Sequence, residues 1–491
     1  MFKLENIVQY FLVWYTILRV IHKSYRMVLK ENNVTFTSNI FLIGILPWFI
    51  LIACLTKKQK IAKYILLILM NSIFYLWGGI GAFFFVCCFA FFVWLFCKVT
   101  TEYRSKSMFV CFLVLTLLPL LFVKYSGFVI GKINAVLGGS LTYPDIIVPI
   151  GISFFTFEAV SLLSDAYLRK ITDKVSFLDV YTYLTFFPTV TSGPIIRFTD
   201  FKRGLQNEIQ VTDYNGAIEK IVLGLGKKVI IADKIAVLAN FYFDGITAGK
   251  TFSCAGLWIG SIAYTLQLYF DFSGYSDMAI GIGKLLGFEI GNNFNHPYQA
   301  NSISDFWRRW HISLSQWFRD YVYIPLGGNR CSVPKHIINL FVVWLLTGIW
   351  HGTGLSFIMW GMGYFVLLAM EKYIPFLKKI GEKWYGHLYA LFFINLLWVP
   401  FRADSITMAL KYLLGMVGIG SVGGIESRAV AFVPYLLASA ALCFPWKKVT
   451  EKYMQNRILK FFRGLCILLI AVLAVSAVIS SSYTSYIYGG F

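Results

Sequence analysis

Apolar runs long enough to cross a bilayer, roughly 17 to 25 residues each, recur along the whole chain with only short connections between them. The pattern predicts an all-α polytopic membrane protein of roughly 11–14 transmembrane and re-entrant helices, with no sizeable soluble domain. Composition agrees, since the 491 residues are 58% hydrophobic and only 14% charged. The formal net charge of +20 would suit a nucleic-acid partner, but Lys and Arg fall in short connections between apolar runs and form no continuous patch. A positive-inside topology signal explains them, so the expected surroundings are a lipid bilayer and no nucleic acid.

The connections alternate in charge. Lys57, Lys58, Lys60 and Lys63, then Lys98, Arg104 and Lys106, then Arg169, Lys170 and Lys174 mark cytosolic ends. Residues 78–81 and 131–145, poor in net positive charge, fall between them on the outer side. Lys447, Lys448, Lys452, Arg457, Lys460 and Arg463 mark another cytosolic connection, so a last span at about 465–479 leaves an outer tail rich in Tyr and Ser. Near the start, the apolar stretch 8–20 is broken by Arg19 and followed by no small-residue cleavage site. Residues 6–30 form either a short span or a helix lying in the interface. The nine cysteines show neither metal-ligand spacing nor a disulfide framework and are read as packing.

The stretch from Ala217 to Asn329 departs from this pattern, being Gly-punctuated and polar. Broken backbone is tolerated at membrane depth only where protein buries it or a watery cavity meets it, so this region is expected to form a cavity wall. Asp271 and Asp277 flank Ser273-Gly274, where a helix break is expected. The two carboxylates either cap helix ends and pair with Lys or Arg, or shape the polar lining of a substrate channel.

Two histidines lie in otherwise membrane-compatible sequence, and an ionisable group at that depth is costly enough to suggest function. Around the first, Ser302 and Asp305 have capping-box spacing. Trp307, Trp310, His311, Leu314 and Phe318 then fall on one helical face, with Arg308, Ser315 and Arg319 off it. One amphipathic helix near the cytosolic side is expected, its inward His311 either a hydrogen-bonded structural residue or a donor-binding or catalytic one. Before the second histidine, the apolar run 337–350 would make a helix of about 21 Å, short of the roughly 30 Å hydrocarbon core. A second run, 355–370, ends at Lys372, Lys378 and Lys379. A pair of short helices meeting at Gly352 and Gly354 is expected, with His351 deep in the protein.

A buried neutral imidazole can take the proton from an alcohol as it attacks a thioester, whose thiolate leaves easily at a pKa of about 8.5. That chemistry is O-acyl transfer. No Gly-x-Ser-x-Gly elbow supports a serine triad, and no His-x-x-x-His or Cys-x-x-Cys spacing supports a metal site.

Several ordered motifs now carry a resemblance: residues 148–157 (VPIGISFFTF), 269–281 (YFDFSGYSDMAIG), 306–315 (FWRRWHISLS), 319–330 and 348–352 (GIWHG). From about Phe36 to Arg402 the chain resembles the membrane-bound O-acyltransferase family, and more narrowly its alginate O-acetyltransferase branch. The resemblance implies a catalytic histidine at His351 and a core histidine at His311. It also implies a central polar tunnel, with acyl thioester entering from the cytosol and the acceptor approaching from outside. Asp271, Ser273, Tyr275, Asp277, Asn295, Arg308, Arg309, Trp310 and Trp350 are the expected tunnel-lining residues, and no metal is expected. Residues 1–35 would be an extension helix, 36–402 the catalytic membrane core and 403–491 further membrane helices. Two departures, Thr353-Gly-Leu-Ser356 and His296, bear on the acceptor.

The expected protein is thus a multi-pass enzyme of the bacterial inner membrane, without bound cofactor. It moves acetyl from acetyl-CoA, or another acyl thioester, toward hydroxyls of an exported or wall polysaccharide. His351 would be general base, and His311 would orient the thioester or stabilise developing charge. Arg308, Arg309, Arg330 and Lys335 would attract the CoA phosphates. In this branch an extracytoplasmic hydrolase-like acetyltransferase partner commonly completes the transfer. The alternatives are D-alanyl transfer to teichoic acid from a carrier protein, a saccharide transporter or flippase without acyl chemistry, and a non-catalytic scaffold.

Overall fold

The computed structural model describes residues 40–55, 59–142, 148–171, 173–206, 213–446 and 456–480. The expected extension helix at 1–35, including the 6–30 segment, lies outside these residues. So does the tail after 480. Every extended element of secondary structure among the described residues is helical. Packing divides the chain into two compact units. One runs to Thr191 and takes in Arg197–Gln210, and the other takes in Ser192–Ile196 and everything from Val211.

In the first unit, α1 (Leu46–Leu55), α2 (Lys60–Trp77), α3 (Ile80–Tyr103), α4 (Lys106–Leu137) and α5 (Ile152–Tyr167) precede two short helices, α6 (Phe177–Leu184) and α7 (Phe198–Gln206). The register of α3 shows how its sequence chooses a buried face. Ala82, Phe85, Val86, Phe89, Ala90, Val93 and Cys97 recur at helical spacing and are buried, while Phe84, Phe91 and Phe92 face outward. Phe89 meets Phe155 of α5 at 5.1 Å, and α5 is buried along nearly its whole length. Asn71 of α2 uses both ends of its amide, donating to the Thr182 carbonyl at 3.1 Å and accepting from the Phe187 N–H at 3.1 Å. Basic residues sit at alternate ends of successive helices: Lys60 and Lys63 begin α2, Lys98 ends α3, Lys106 begins α4, and Arg169 and Lys170 follow α5. Among the described residues of this unit, these basic residues fall at helix ends where the sequence placed the expected cytosolic connections.

The second unit contains α8 (Tyr214–Gly226), α9 (Asp233–Thr247), α10 (Cys254–Leu285), α11 (Ile303–Arg309) and α12 (Ile312–Phe318). It continues with α13 (Val333–His351), α14 (Leu355–Tyr373), α15 (Pro375–Ile380), α16 (Gly386–Arg402), α17 (Ile406–Met416), α18 (Ser427–Ala441) and α19 (Arg457–Ser480). Across the described residues, α2, α3, α4, α13, α14 and α19 are long and apolar enough to cross a membrane. The protein is an all-α polytopic membrane protein.

Three local expectations change. The break at Ser273-Gly274 is absent, because α10 runs 32 residues without interruption. Gly274 serves contact instead: a Cβ there would lie 2.7 Å from the Gly224 carbonyl of α8, and one on Gly224 would lie 2.5 Å from the Gly274 carbonyl. Two helix backbones touch at this point, as small residues allow in membranes. The hairpin around His351 is also longer than expected. Pro334 sits in the first turn of α13, where its missing N–H costs nothing, so the helix begins before the apolar run. Both α13 and α14 have 19 residues and measure about 28 Å, enough to span. The third change, a break at His311, shapes the site.

Candidate active site

His351 is the last residue of α13, and residues 352–354 turn the chain into α14. A Cβ on Gly352 would lie 2.1 Å from the Phe357 ring, so the turn closes only on glycine. Lower in the hairpin, a Cβ on Gly348 would meet the Phe357 carbonyl at 2.7 Å and one on Gly361 the Trp344 carbonyl at 2.5 Å. Close backbone approach thus brings α14 side chains onto the His351 ring. Trp350 meets that ring at 4.6 Å, Trp360 of α14 at 4.9 Å and Phe401 of α16 at 5.0 Å, all edge-to-face. Each such contact contributes about 0.5–1.5 kcal/mol beyond burial. The imidazole is 3% exposed and enclosed by rings from three directions.

His311 is held differently. The expected single helix from Ser302 is two short helices, α11 and α12, and His311 sits at their junction with φ of 44° and ψ of 54°. This left-handed conformation costs a non-glycine residue on the order of 1–3 kcal/mol, which the surroundings must offset. They do so by supplying partners to the amides that the break releases. The Ile312 N–H donates to the Asn293 carbonyl at 3.0 Å, and the Ser313 N–H to the Asn293 side-chain Oδ1 at 3.1 Å. His311 Nδ1 faces the same Oδ1 at 3.3 Å.

At the other end of α11, the Glu371 carboxylate accepts from the N–H of Ile303 at 2.6 Å, the N–H of Ser304 at 2.9 Å and the Ser304 hydroxyl at 2.7 Å. The Ser302 hydroxyl accepts from the Asp305 N–H at 3.1 Å, which is half of the expected capping box. The Asp305 carboxylate instead pairs with Arg309 at 2.8 Å.

The two histidines meet through one ring. Trp350 lies 6.5 Å from His311 and 4.6 Å from His351, while Phe272 of α10 stands edge-on to His311 at 4.7 Å. Beside them, His311 Nε2, the indole N–H groups of Trp307 and Trp360 and the Tyr364 hydroxyl are buried without hydrogen-bond partners, Trp360 touching His351 directly. Folded proteins leave few such groups, and Trp307, Trp360 and Tyr364 stand within 5.0 to 5.9 Å of one another. An arrangement of two imidazoles with several unmatched donors suits a polar, hydrogen-bonding ligand. His311 lies outside the long spanning helices, and burial pushes its protonation down to about 3, so it stands as neutral imidazole.

Sequence comparison sets this centre in a family. Residues 64–399, which carry both histidines, match the membrane-bound O-acyltransferase family. The chain belongs to that family. As a membrane-bound O-acyltransferase it is a multi-pass enzyme of the bacterial inner membrane that acylates hydroxyl groups. It is 34% identical over 407 residues to a probable alginate O-acetylase of Pseudomonas aeruginosa, covering 79% of this chain and 75% of the relative. It is 38% identical over 333 residues to a peptidoglycan O-acetyltransferase of Helicobacter pylori, covering 61% and 63%. It is also 32% identical over 248 residues to a teichoic acid D-alanyltransferase of Bacillus subtilis, covering 48% and 60%.

Within this acyltransferase the expected lining residues divide. His311, Trp350 and His351 come together, and Trp310 is buried beside them, 5.1 Å from Trp398 and 5.0 Å from Phe294. Ser273 and Tyr275 are buried on α10. Asp271 and Asp277 turn toward lysines: Asp271 meets Lys228 at 2.6 Å, and Asp277 meets Lys227 at 2.6 Å and Lys220 at 2.9 Å. Lys228 and Asp271 are each 2% exposed, so either charge alone would cost several kcal/mol, and together they tie α10 to the turn after α8. Asn295 and Arg308 are exposed, and Arg309 is half-buried against Asp305. Sequence reasoning missed Asn293, two positions before Asn295, as well as Phe272, Trp360 and Phe401. The cluster Asn292-Asn293-Phe294-Asn295 was the available signal for the first of these, since buried amides at a chain reversal commonly serve released backbone groups.

Proposed function

We propose that this enzyme transfers an acyl group, acetyl in the first instance, from a cytosolic thioester such as acetyl-CoA to hydroxyls of an exported or cell-wall polysaccharide. Transfer is either direct or completed by an extracytoplasmic hydrolase-like partner. The observation that carries the reading is the buried pair His311 and His351, bridged by Trp350 and with unmatched polar groups beside it. His351 takes the proton of the attacking hydroxyl as its oxygen adds to the thioester carbonyl. The tetrahedral adduct then expels the thiolate, which receives that proton from the imidazolium, leaving an ester and a free thiol. The alginate and peptidoglycan relatives support O-acetylation of a saccharide, and they cover more of the chain than the D-alanyl relative does. Exposed Arg308 and Arg330, with Lys335, would draw CoA phosphates to the cytosolic mouth.

The test is reconstitution in vesicles with acetyl-labelled CoA inside and envelope polysaccharide plus periplasmic extract outside. Label should move to the polysaccharide, and His351→Ala should cut transfer by about a thousandfold or more while the protein still inserts and folds. Transfer that survives in His351→Ala would remove the general-base role. A D-alanyl carrier protein as the only working donor would favour the teichoic acid reading, and saccharide movement without acyl transfer the transporter.

A further inference from the structure

Asn293 is 1% exposed and lies in the loop between α10 and α11. Its amide orientation follows from its neighbours. The Ser313 backbone N–H is a donor under all conditions, so the Asn293 atom it meets at 3.1 Å is the carbonyl oxygen. The Ser313 hydroxyl also donates to that oxygen at 2.9 Å, its own lone pair being taken by the Ile195 N–H at 3.0 Å. The Asn293 NH2 points the other way and donates to the Ser276 hydroxyl of α10 at 3.4 Å.

An oxygen fixed in this way decides the state of the ring beside it. Facing it at 3.3 Å, His311 Nδ1 must carry a hydrogen, since two lone pairs would repel. The other nitrogen, Nε2, is buried and unmatched, on a ring that lies 6.5 Å from Trp350. We propose that Asn293 is a positioning residue that holds His311 as the Nδ1–H tautomer, so that Nε2 presents a lone pair to the substrate and accepts a hydrogen bond from one of its N–H or O–H groups.

This inference rests on the acyl-transfer reading for its consequence, though not for its geometry. It changes the role expected of His311. A neutral ring that offers a lone pair does not donate to a developing oxyanion. That task passes to N–H groups such as the indole of Trp360, which is buried without a partner beside His351. The same logic governs histidines whose tautomer is set by the group at the opposite nitrogen.

The test has one arm that does not depend on activity. Full-length protein carrying 13C- and 15N-labelled histidine, in lipid nanodiscs, is examined by solid-state NMR, with His311 assigned by its loss in His311→Gln. The expected wild-type ring shows Nδ1 protonated and Nε2 bare at pH 7, and Asn293→Ala shifts it toward the Nε2–H form. Asn293→Asp keeps an acceptor in place and keeps the Nδ1 proton, and it guards against misfolding of the alanine variant. A wild-type ring protonated at Nε2, or an unchanged tautomer in Asn293→Ala, overturns the proposal whatever the enzyme's substrates are. In the transfer assay Asn293→Ala should lower kcat/KM about 10- to 100-fold, as loss of an orienting partner commonly does. KM measured separately for thioester and acceptor tells which of them meets Nε2, and Ser313→Ala, which leaves the Asn293–His311 contact intact, should change the tautomer not at all.

Discussion

The two histidines of this acyltransferase are seated by opposite means. His351 is gripped by Trp350, Trp360 and Phe401, and its backbone is the regular end of a helix. His311 sits on strained left-handed backbone and is held by one amide oxygen that also serves Ser313. Ring packing fixes where an imidazole sits and how its plane lies. A hydrogen bond at one nitrogen also bears on which of the two carries the hydrogen. The difference teaches that surroundings can restrain an imidazole through its faces and edges or through a single nitrogen.

The comparison breaks most readily on the packed side. Trp360→Ala deletes a fully buried ring that touches His351, Trp398 and Phe401, and such a truncation costs about 3–5 kcal/mol. Thermal unfolding in detergent should register that loss, and kcat should fall about 10- to 100-fold because the His351 ring gains room to turn. Trp360→Phe keeps a ring and should recover much of both. If Trp360→Ala unfolds at the wild-type temperature with full activity, packing is not what holds His351.

The next effect is smaller and acts through backbone. Gly348→Ala places a Cβ 2.7 Å from the Phe357 carbonyl, so α13 and α14 must part, at about 1–3 kcal/mol. The control is Gly464→Ala in α19, where an added Cβ has nothing within 4 Å and a glycine in mid-helix gains about 0.5–1 kcal/mol on replacement by alanine. Opposite signs for two Gly→Ala changes in spanning helices would locate the constraint in the hairpin. Equal signs would remove it.

These contrasts also explain what the sequence disclosed. The spans and their alternating ends were legible because lipid demands long apolar runs and the positive-inside bias marks the connections, as Lys60, Lys98, Lys106 and Arg169 show. His351 was legible because the glycines around it announce a turn and close contact. The seat of His311 was hidden because Trp307, Trp310, Leu314 and Phe318 keep helical spacing across a break that the spacing itself does not encode. At the break Asn293, 18 residues before His311, accepts the Ile312 and Ser313 amides that an unbroken helix would have used. Gly274 misled for the converse reason: it marks contact with Gly224 and no interruption of α10. Local pattern reports local geometry, and both exceptions were imposed by tertiary partners.

The finest test of the comparison is acid. Buried His311 takes no proton in the folded protein until about pH 3, whereas in the unfolded chain a histidine takes one near pH 6.5. Between those values the unfolded state binds more protons, so the His311 contribution to stability falls as pH drops below about 6.5. From pH 8 to pH 6 the loss is on the order of 1 kcal/mol. His311→Gln should remove that slope, leaving a smaller difference between unfolding temperatures at pH 8 and pH 6 than in wild type. The same variant should lower acyl transfer yet leave the acid midpoint of its pH profile where it was, because folded His311 does not titrate there. A midpoint that moves with His311→Gln would mean that the ring is charged at neutral pH, and the contrast between a packed histidine and a tautomer-defined one would have to be abandoned.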